Sequence, residues 1–181
     1  MSKSVLISIK PQWCELIASG KKIVEVRKTR PKRETPFKCY IYCTKGRGDC
    51  LWRWNGIWYD TQDPNHRPNR LDGKVIGEFV CDEIISADNG SYKDIPLSET
   101  GLQADELLDY ANDKRIYGWH ISDLVFYDDP KELREFKPYN RTEDDCKYSH
   151  LGYAIPKCSD CHECYVKRPP QSWCYVEEVE Q

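Results

Sequence analysis

The residues with the clearest potential for chemistry lie in one short stretch, Gly20-Lys-Lys-Ile-Val-Glu-Val-Arg27. Glu25 and Arg27 are two positions apart, so on a strand both side chains point to the same face. Lys22 lies at the corner before that strand. Two cations and one carboxylate can bind a phosphate or a nucleobase edge, because Arg offers a fork of donors and Glu accepts from an amine. The alternative is a surface ion pair between Glu25 and Arg27, which would contribute about 0–1 kcal/mol to stability.

A second group of chemically active side chains comprises Cys146, Cys158, Cys161 and Cys164. Four thiolates satisfy tetrahedral zinc, and a spacing of two intervening residues lets neighbouring sulfurs reach one ion. The segment 137–170 has few apolar side chains, so a metal could order it. The sequence therefore predicts one structural zinc in this segment, with reduced free thiols or a disulfide as the alternatives.

Other residues near this cluster bear on the choice of metal and of ligands. His150, His162 and Cys174 are alternatives for the fourth ligand, although Cys174 falls in a predicted strand, which favours a core position. A ferredoxin-type cluster would need a cysteine where Arg168 stands, which disfavours iron–sulfur chemistry.

Composition limits the class of protein. The chain has 181 residues, of which ten are cysteines, fewer than a disulfide scaffold needs. The apolar run Val5 to Ile9 is too short for a signal-peptide core or a membrane span. We therefore expect a reducing, cytoplasmic compartment and no membrane partner, and clustered cysteines there indicate metal ligands before disulfides.

Charge is unevenly distributed along the chain. Residues 1–50 contain twelve Lys and Arg against four Asp and Glu, whereas residues 82–145 contain seven against seventeen. A basic region within an acidic protein indicates an anionic partner on one face. The alternative is that the two regions neutralise each other across the fold.

Periodicity predicts the elements that must position these residues. Alternation and β-branched content predict strands at 5–9, 23–28, 37–43, 74–85, 119–127 and 173–179. Helices are predicted at 11–19, between Pro11 and Gly20, and at 104–112. Gly77 marks a bulge or bend in its strand. About six strands with two or three short helices predict one α+β domain over residues 1–181, built on a small β-barrel.

Two insertions decorate this predicted barrel. Residues 46–72 are rich in Trp, and within them Asn55-Gly56 lies between two short β-prone runs, the pattern of a hairpin on a type I′ turn. Residues 137–170 form the Cys-rich insertion.

The stretch 20–27 fits the pattern G-x-K-x-x-E-x-R and resembles the signature of the ASCH family, a branch of the PUA-like superfamily. Further blocks resemble phage-associated and bacterial members of that family: Ser8-Ile-Lys-Pro11 with Trp13, 73–77, 117–122 and 168–176. The likeness covers the whole chain. It implies a PUA-like barrel that binds RNA or modified nucleosides in a cleft beside it.

The resemblance also implies which residues bind the ligand. Lys10, Lys22, Glu25 and Arg27 fall in the matching blocks, and Trp173 begins the last strand, which in PUA-like folds lies near the first. Trp173 could stack on a base there, or it could be a core residue. RNA or a modified nucleotide is thus the expected partner, and a protein partner bound by the zinc segment is a further alternative.

A hydrolase in the same cleft is the main alternative function. A related bacterial branch hydrolyses acetylated cytidine with a Lys, a Thr and a Glu, and its Lys and Thr match Lys22 and Glu25 here. This chain lacks the threonine nucleophile, so the resemblance favours binding over catalysis. If the chain is an enzyme, Lys22 and Glu25 are the candidate catalytic residues, and Ser8 and Ser122 are candidate hydroxyls.

Overall fold

A computed structural model of the chain describes residues 2–46, 52–54, 57–59, 71–88, 92–139 and 165–179. In chain order its elements are β1 (Lys3–Ile9), α1 (Pro11–Ala18), β2 (Val24–Arg27), β3 (Phe37–Cys43), β4 (Trp52–Trp54), β5 (Ile57–Tyr59), β6 (Val75–Cys81), β7 (Ile84–Ala87), α2 (Leu97–Thr100), α3 (Ala104–Ala111), β8 (Ile116–His120), β9 (Ser122–Lys131), a short 3-10 helix (Leu133–Glu135) and β10 (Trp173–Glu177).

The larger sheet has five strands in the order β10-β1-β3-β6-β9. β1 pairs in parallel with β3, Val5 lying opposite Cys39, and antiparallel with β10. The other neighbouring pairs are antiparallel. Both faces of β1 are covered, and every residue from Ser4 to Ile9 is buried. This burial explains why the sequence of β1 is a nearly continuous apolar run.

The smaller sheet has three antiparallel strands in the order β2-β8-β7, with Glu25 opposite Trp119. Two predicted strands are each divided between the sheets. The predicted strand 74–85 bends at Asp82 and Glu83 into β6 and β7, and the predicted strand 119–127 passes through Ile121 from β8 into β9. The polar pairs Asp82-Glu83 and Ser122-Asp123 interrupt the apolar pattern at these corners.

The predicted bulge at Gly77 is confirmed. The pairing of β6 with β9 changes register between Val75 and Gly77. A Cβ atom at Gly77 would lie 2.3 Å from the backbone oxygen of Val125, so only glycine allows the two strands to approach this closely.

The predicted α+β class is confirmed, but the strands of the described residues do not close into a barrel. The eight strands outside β4 and β5 form two sheets that are linked through the β6–β7 and β8–β9 corners, and no ladder closes them into a ring. β1 cannot pair with β2, because β10 and β3 already occupy both of its edges. β4 and β5 pair antiparallel as a separate hairpin within residues 46–72.

The apolar core lies on both faces of the larger sheet. One cluster contains Ile7 and Ile41, together with Cys14 and Ile17 of α1 and Trp119 of the smaller sheet. The opposite face carries a second cluster, in which Tyr40 packs edge-on against Phe136. A third cluster joins the smaller sheet to α3. Among the described residues, no helix is long and apolar enough to span a membrane.

Candidate nucleotide-binding cleft

A cleft of about 440 Å³ opens where the smaller sheet, α1 and α3 meet the segment that leads into β10. This volume lies within the range of about 300–1,000 Å³ that is typical of small-molecule sites. Its lining includes Lys10, Lys22, Glu25 and Arg27, which are four of the five ligand-binding residues that the resemblance implies.

The corner before β2 places Lys22 in the floor of this cleft. Gly20 follows α1 with a positive φ of 71°, and the backbone N–H of Lys21 bonds back to the carbonyl of Leu16 at 2.9 Å. This is the Schellman geometry that glycine permits after a helix. The chain therefore turns sharply, and the Lys22 side chain is buried rather than extended into solvent.

Lys22 Nζ has three oxygen partners. It donates to the backbone oxygens of Val24 at 2.9 Å and Thr100 at 2.6 Å, and it lies 3.2 Å from Glu25 Oε2. Thr100 ends α2, so its carbonyl has no partner within the helix and is open to a side-chain donor. The two backbone carbonyls accept hydrogen bonds, whereas Glu25 Oε2 is an ion-pair partner without a hydrogen bond. Lys22 thus links Glu25 to the end of α2.

Arg27 holds the carboxylate from the other side. Its Nη2 lies 2.9 Å from Glu25 Oε1 and 2.5 Å from the backbone oxygen of Ser8, while Nη1 reaches the hydroxyl of Ser172 at a long 3.5 Å. The side chain is only 11% exposed. Among the described residues, Nε of Arg27 is buried without a hydrogen-bond partner, and Nη1 has only this long contact.

Lys22, Glu25 and Arg27 form one buried unit, which we call the charged cluster. The face of β2 that carries Glu25 is covered, and Glu25 is 5% exposed. The alternative of a surface ion pair is therefore wrong. Val26, the next residue of β2, packs in the cluster that joins the smaller sheet to α3, and the charged cluster lines the cleft.

The other candidate residues are distributed between the cleft and the core. Lys10 is exposed at the rim of the cleft. Trp173 is outside the cleft lining. It packs against the core beside Trp119, and its Nε1 donates to the hydroxyl of Thr29 at 3.0 Å. A stacking role for Trp173 stays a prediction.

The two candidate hydroxyls are also separated. Ser8 lines the cleft and its Oγ donates to the backbone oxygen of Pro170 at 2.7 Å. Ser122 is not part of the lining, and its Oγ bonds to the backbone oxygen of Val80 at 2.9 Å. Only Ser8 is therefore placed near the charged cluster.

Sequence reasoning missed the wall that α3 contributes. Tyr110 and Glu106 both line the cleft from this helix. Burial raises the pKa of Tyr110, the charge of Glu25 raises it further, and the charge of Arg27 opposes both effects. The sequence did contain a signal for this contribution of α3 to the cleft. Tyr110 lies three residues after Leu107, which is buried, so both side chains lie near the same face of the helix.

The four predicted zinc ligands Cys146, Cys158, Cys161 and Cys164 lie outside the described residues, as do the alternatives His150 and His162. Within the described residues, no group of three or more His, Cys, Asp or Glu side chains is placed to hold a metal. The further alternative, Cys174, packs against the second apolar cluster, and burial raises its pKa to about 11. A protonated thiol is a poor metal ligand, so its position favours a core role.

The arrangement of two linked sheets is the fold of ASCH-domain proteins, as the resemblance implied. The solved structure of ASCH from Zymomonas mobilis superposes with a TM-score of 0.56 and 20% sequence identity over 97% of this chain and 88% of that one. A tyrosine-to-phenylalanine variant of that protein superposes with a TM-score of 0.57 and 20% sequence identity, over 98% of this chain and 92% of the variant. A serine-to-alanine variant of the same protein superposes with a TM-score of 0.56 and 19% sequence identity, over 97% of this chain and 89% of the variant. No family model and no curated protein matches the chain.

Proposed function

We propose that the chain binds RNA or a modified nucleotide in the cleft. The observation that supports this function best is the charged cluster, whose side chains are at most 11% exposed and line the cleft. Three cations and two carboxylates line the cleft, Lys10, Lys22 and Arg27 against Glu25 and Glu106, which leaves one net positive charge. A ligand with a phosphate group would balance that charge.

The cleft also offers groups that recognise a base. Glu25 is held in one position by two cations, and its carboxylate can accept from an exocyclic amine. Nη1 of Arg27, whose contact with the Ser172 hydroxyl is long at 3.5 Å, suits a phosphate or carbonyl oxygen. Trp13 and Tyr110 supply aromatic surfaces in the lining, on which an unstacked base can lie.

A thermal-shift screen with short single-stranded RNAs, nucleoside monophosphates and modified nucleosides tests this proposal. A ligand at about 100 times its Kd should stabilise the protein by about 2.7 kcal/mol, and the melting temperature should rise accordingly. Sugar monophosphates without a base serve as charge-matched controls for the nucleoside monophosphates. The same rise with these controls, or no rise with any nucleotide, would contradict the proposal.

The alternative hydrolase is tested with the same samples by mass spectrometry. Ser8 is the candidate hydroxyl that lines the cleft, but Lys22 already donates to two backbone carbonyls and is paired with Glu25, which stands at the nucleophile position of the resembling amidohydrolases. We expect acetylated cytidine to remain intact. Turnover that Lys22→Ala abolishes and Ser122→Ala retains would establish the enzyme instead.

We further propose that Cys146, Cys158, Cys161 and Cys164 hold one structural zinc per chain in a reducing, cytoplasmic compartment. Thiolates bind zinc only after losing their protons, so occupancy should fall in acid as well as with a chelator. Elemental analysis of Cys161→Ser should show a loss of zinc, whereas Cys174→Ser should retain it. Metal-free wild-type protein purified under reducing conditions would contradict this site.

A further inference from the structure

Residues 178 and 179, which follow β10, lie against the face of the larger sheet that carries the second apolar cluster; we call them the strap. The Glu178 carboxylate lies 3.2 Å from Lys38 Nζ, and the Glu178 backbone N–H donates to the backbone oxygen of Ser2 at 2.9 Å. The backbone N–H of Val179 donates to the Tyr40 hydroxyl at 2.9 Å, and the Val179 side chain packs against the second apolar cluster. The strap therefore ties the C-terminal end of β10 to β3 and to the residue before β1.

The strand that the strap holds is a shallowly buried edge strand. Of the five residues of β10 only Val176 is buried, whereas every residue of the neighbouring β1 from Ser4 to Ile9 is buried. On the outer edge of β10, among the described residues, only the segment 137–139 forms hydrogen bonds with it. Local opening costs least where burial is shallow, so β10 can separate without unfolding of the whole sheet.

Lys38 keeps a second counter-ion when the strap leaves. Its Nζ lies 3.1 Å from Oε1 of Glu78, whose Oε2 accepts a hydrogen bond from the Tyr127 hydroxyl at 2.5 Å. Glu78 is 7% exposed and belongs to the sheet, whereas the side chain of Glu178 in the strap is 32% exposed. Separation of the strap therefore leaves no buried charge unpaired, and it avoids the cost of breaking an isolated buried ion pair.

The hydroxyl of Ser4 favours the open form. Ser4 is 1% exposed and lies opposite Val176 of β10, and its Oγ has no hydrogen-bond partner among the described residues. A buried hydroxyl without a partner carries a desolvation penalty, which water relieves. Separation of β10 would admit water to Ser4, so part of the cost of opening is offset at this position.

We propose that the strap is a reversible latch, which keeps β10 paired with β1 at neutral pH and releases it when the Glu178 carboxylate is neutralised. The open form would expose the backbone groups of β1 that β10 now pairs. An exposed strand edge is a template for pairing with another strand, so the latch controls whether β1 offers such an edge. The latch needs no ligand in the cleft, and its test is therefore independent of the proposed function.

The charge of Glu178 is set by its neighbours. A hydrogen bond from the Ser2 side chain and the ammonium of Lys38 lower the pKa of Glu178, and burial opposes them. A carboxyl group whose pKa is lowered in the closed form stabilises that form at neutral pH, and the contribution is lost as the pH falls through the lowered pKa. The latch should therefore weaken in acid. The titratable groups around this carboxylate come from β3, from β6 and from the segment before β3: Lys38, Tyr40, Glu78 and Arg33.

Hydrogen exchange of two single variants tests the latch. Glu178→Gln removes the charge of the strap, and Glu177→Gln makes the same change at the neighbouring residue, whose carboxylate forms no ion pair with the described residues. At pH 7 the amides of β10 should exchange about 2- to 5-fold faster in Glu178→Gln than in the wild type, as expected for the loss of a partly exposed ion pair. Glu177→Gln should exchange as the wild type does, and the amides that join β3 to β6 should be unchanged in both variants.

A pH series isolates the role of the charge. As Glu178 is protonated, the wild type should lose its advantage over Glu178→Gln in the protection of β10, because a neutral glutamic acid resembles glutamine. Any of three results would overturn the proposal. Equal exchange of β10 in the two variants at pH 7 would show that the strap does not hold the strand. Faster exchange throughout the larger sheet in Glu178→Gln would show that Glu178 stabilises the whole fold, and a difference that persists in acid would show that its charge does not control the opening.

Discussion

Glu25→Gln should lower the free energy of unfolding by about 3–5 kcal/mol, the cost of breaking a buried ion pair by removing one partner. The substitution keeps the shape of the side chain but leaves the ammonium of Lys22 and the guanidinium of Arg27 buried without a counter-ion. Chemical denaturation measures the free energy, and the melting temperature should fall by roughly 6–20 °C at about 2–4 °C per kcal/mol for a chain of this size.

Glu15→Gln is the matched control for this experiment. Glu15 is exposed on α1 and forms no ion pair with the described residues, so the same change of charge should alter stability by less than about 0.5 kcal/mol. Equal stability of the two variants would mean that water reaches the charged cluster and that its burial does not determine its function. The Glu25 variant should also lose nucleotide affinity under conditions in which it remains folded, whereas the control should retain it.

The sequence was sufficient to predict the charged cluster because its geometry is local. Pro11 and Gly20 bound α1, the Gly20 corner positions Lys22, and alternation on β2 places Glu25 and Arg27 on one face. These features depend on neighbours within a few residues. A single sequence contains that information in its spacing.

The burial of the same cluster could not be predicted from the sequence. Lys22 is covered by the carbonyl of Thr100 and Arg27 by the carbonyl of Ser8, and both are backbone groups from distant segments. Backbone acceptors leave no pattern of side-chain types in a sequence. Alternation shows that β2 has two faces, but it does not show that α3 covers one and that β1 and α1 adjoin the other.

Trp173 and Tyr110 illustrate the same limit for aromatic residues. Each follows a polar residue in the sequence. In the structure, however, Trp173 packs against Trp119 with a distance of 6.1 Å between ring centroids, whereas Tyr110 lines the cleft. Which ring is accessible depends on how the smaller sheet and β10 sit against each other. Only the folded arrangement distinguishes a core ring from one that can meet a ligand.

Tyr110→Ala should weaken the binding of single-stranded RNA and nucleoside monophosphates by roughly 5- to 150-fold, since stacking of a base on an aromatic ring is worth about 1–3 kcal/mol. Tyr110 is 37% exposed at the cleft wall, so its ring presents a surface to a ligand without being essential to the core. Fluorescence anisotropy with a labelled RNA measures the change. Tyr110→Phe should retain most of the affinity, because it keeps the ring and removes only the hydroxyl.

Leu108→Ala provides the control on the same helix. Leu108 is 52% exposed and lies outside the cleft lining, so its truncation removes a comparable apolar side chain from α3 without touching the site. We expect Leu108→Ala to bind as the wild type does. Equal losses in the two alanine variants would assign the effect to the stability of α3, and unchanged affinity in Tyr110→Ala would exclude stacking on this wall. A loss confined to Tyr110→Ala and restored in Tyr110→Phe would identify the ring as a binding surface, because these variants share the helix and differ only in what they present to the cleft.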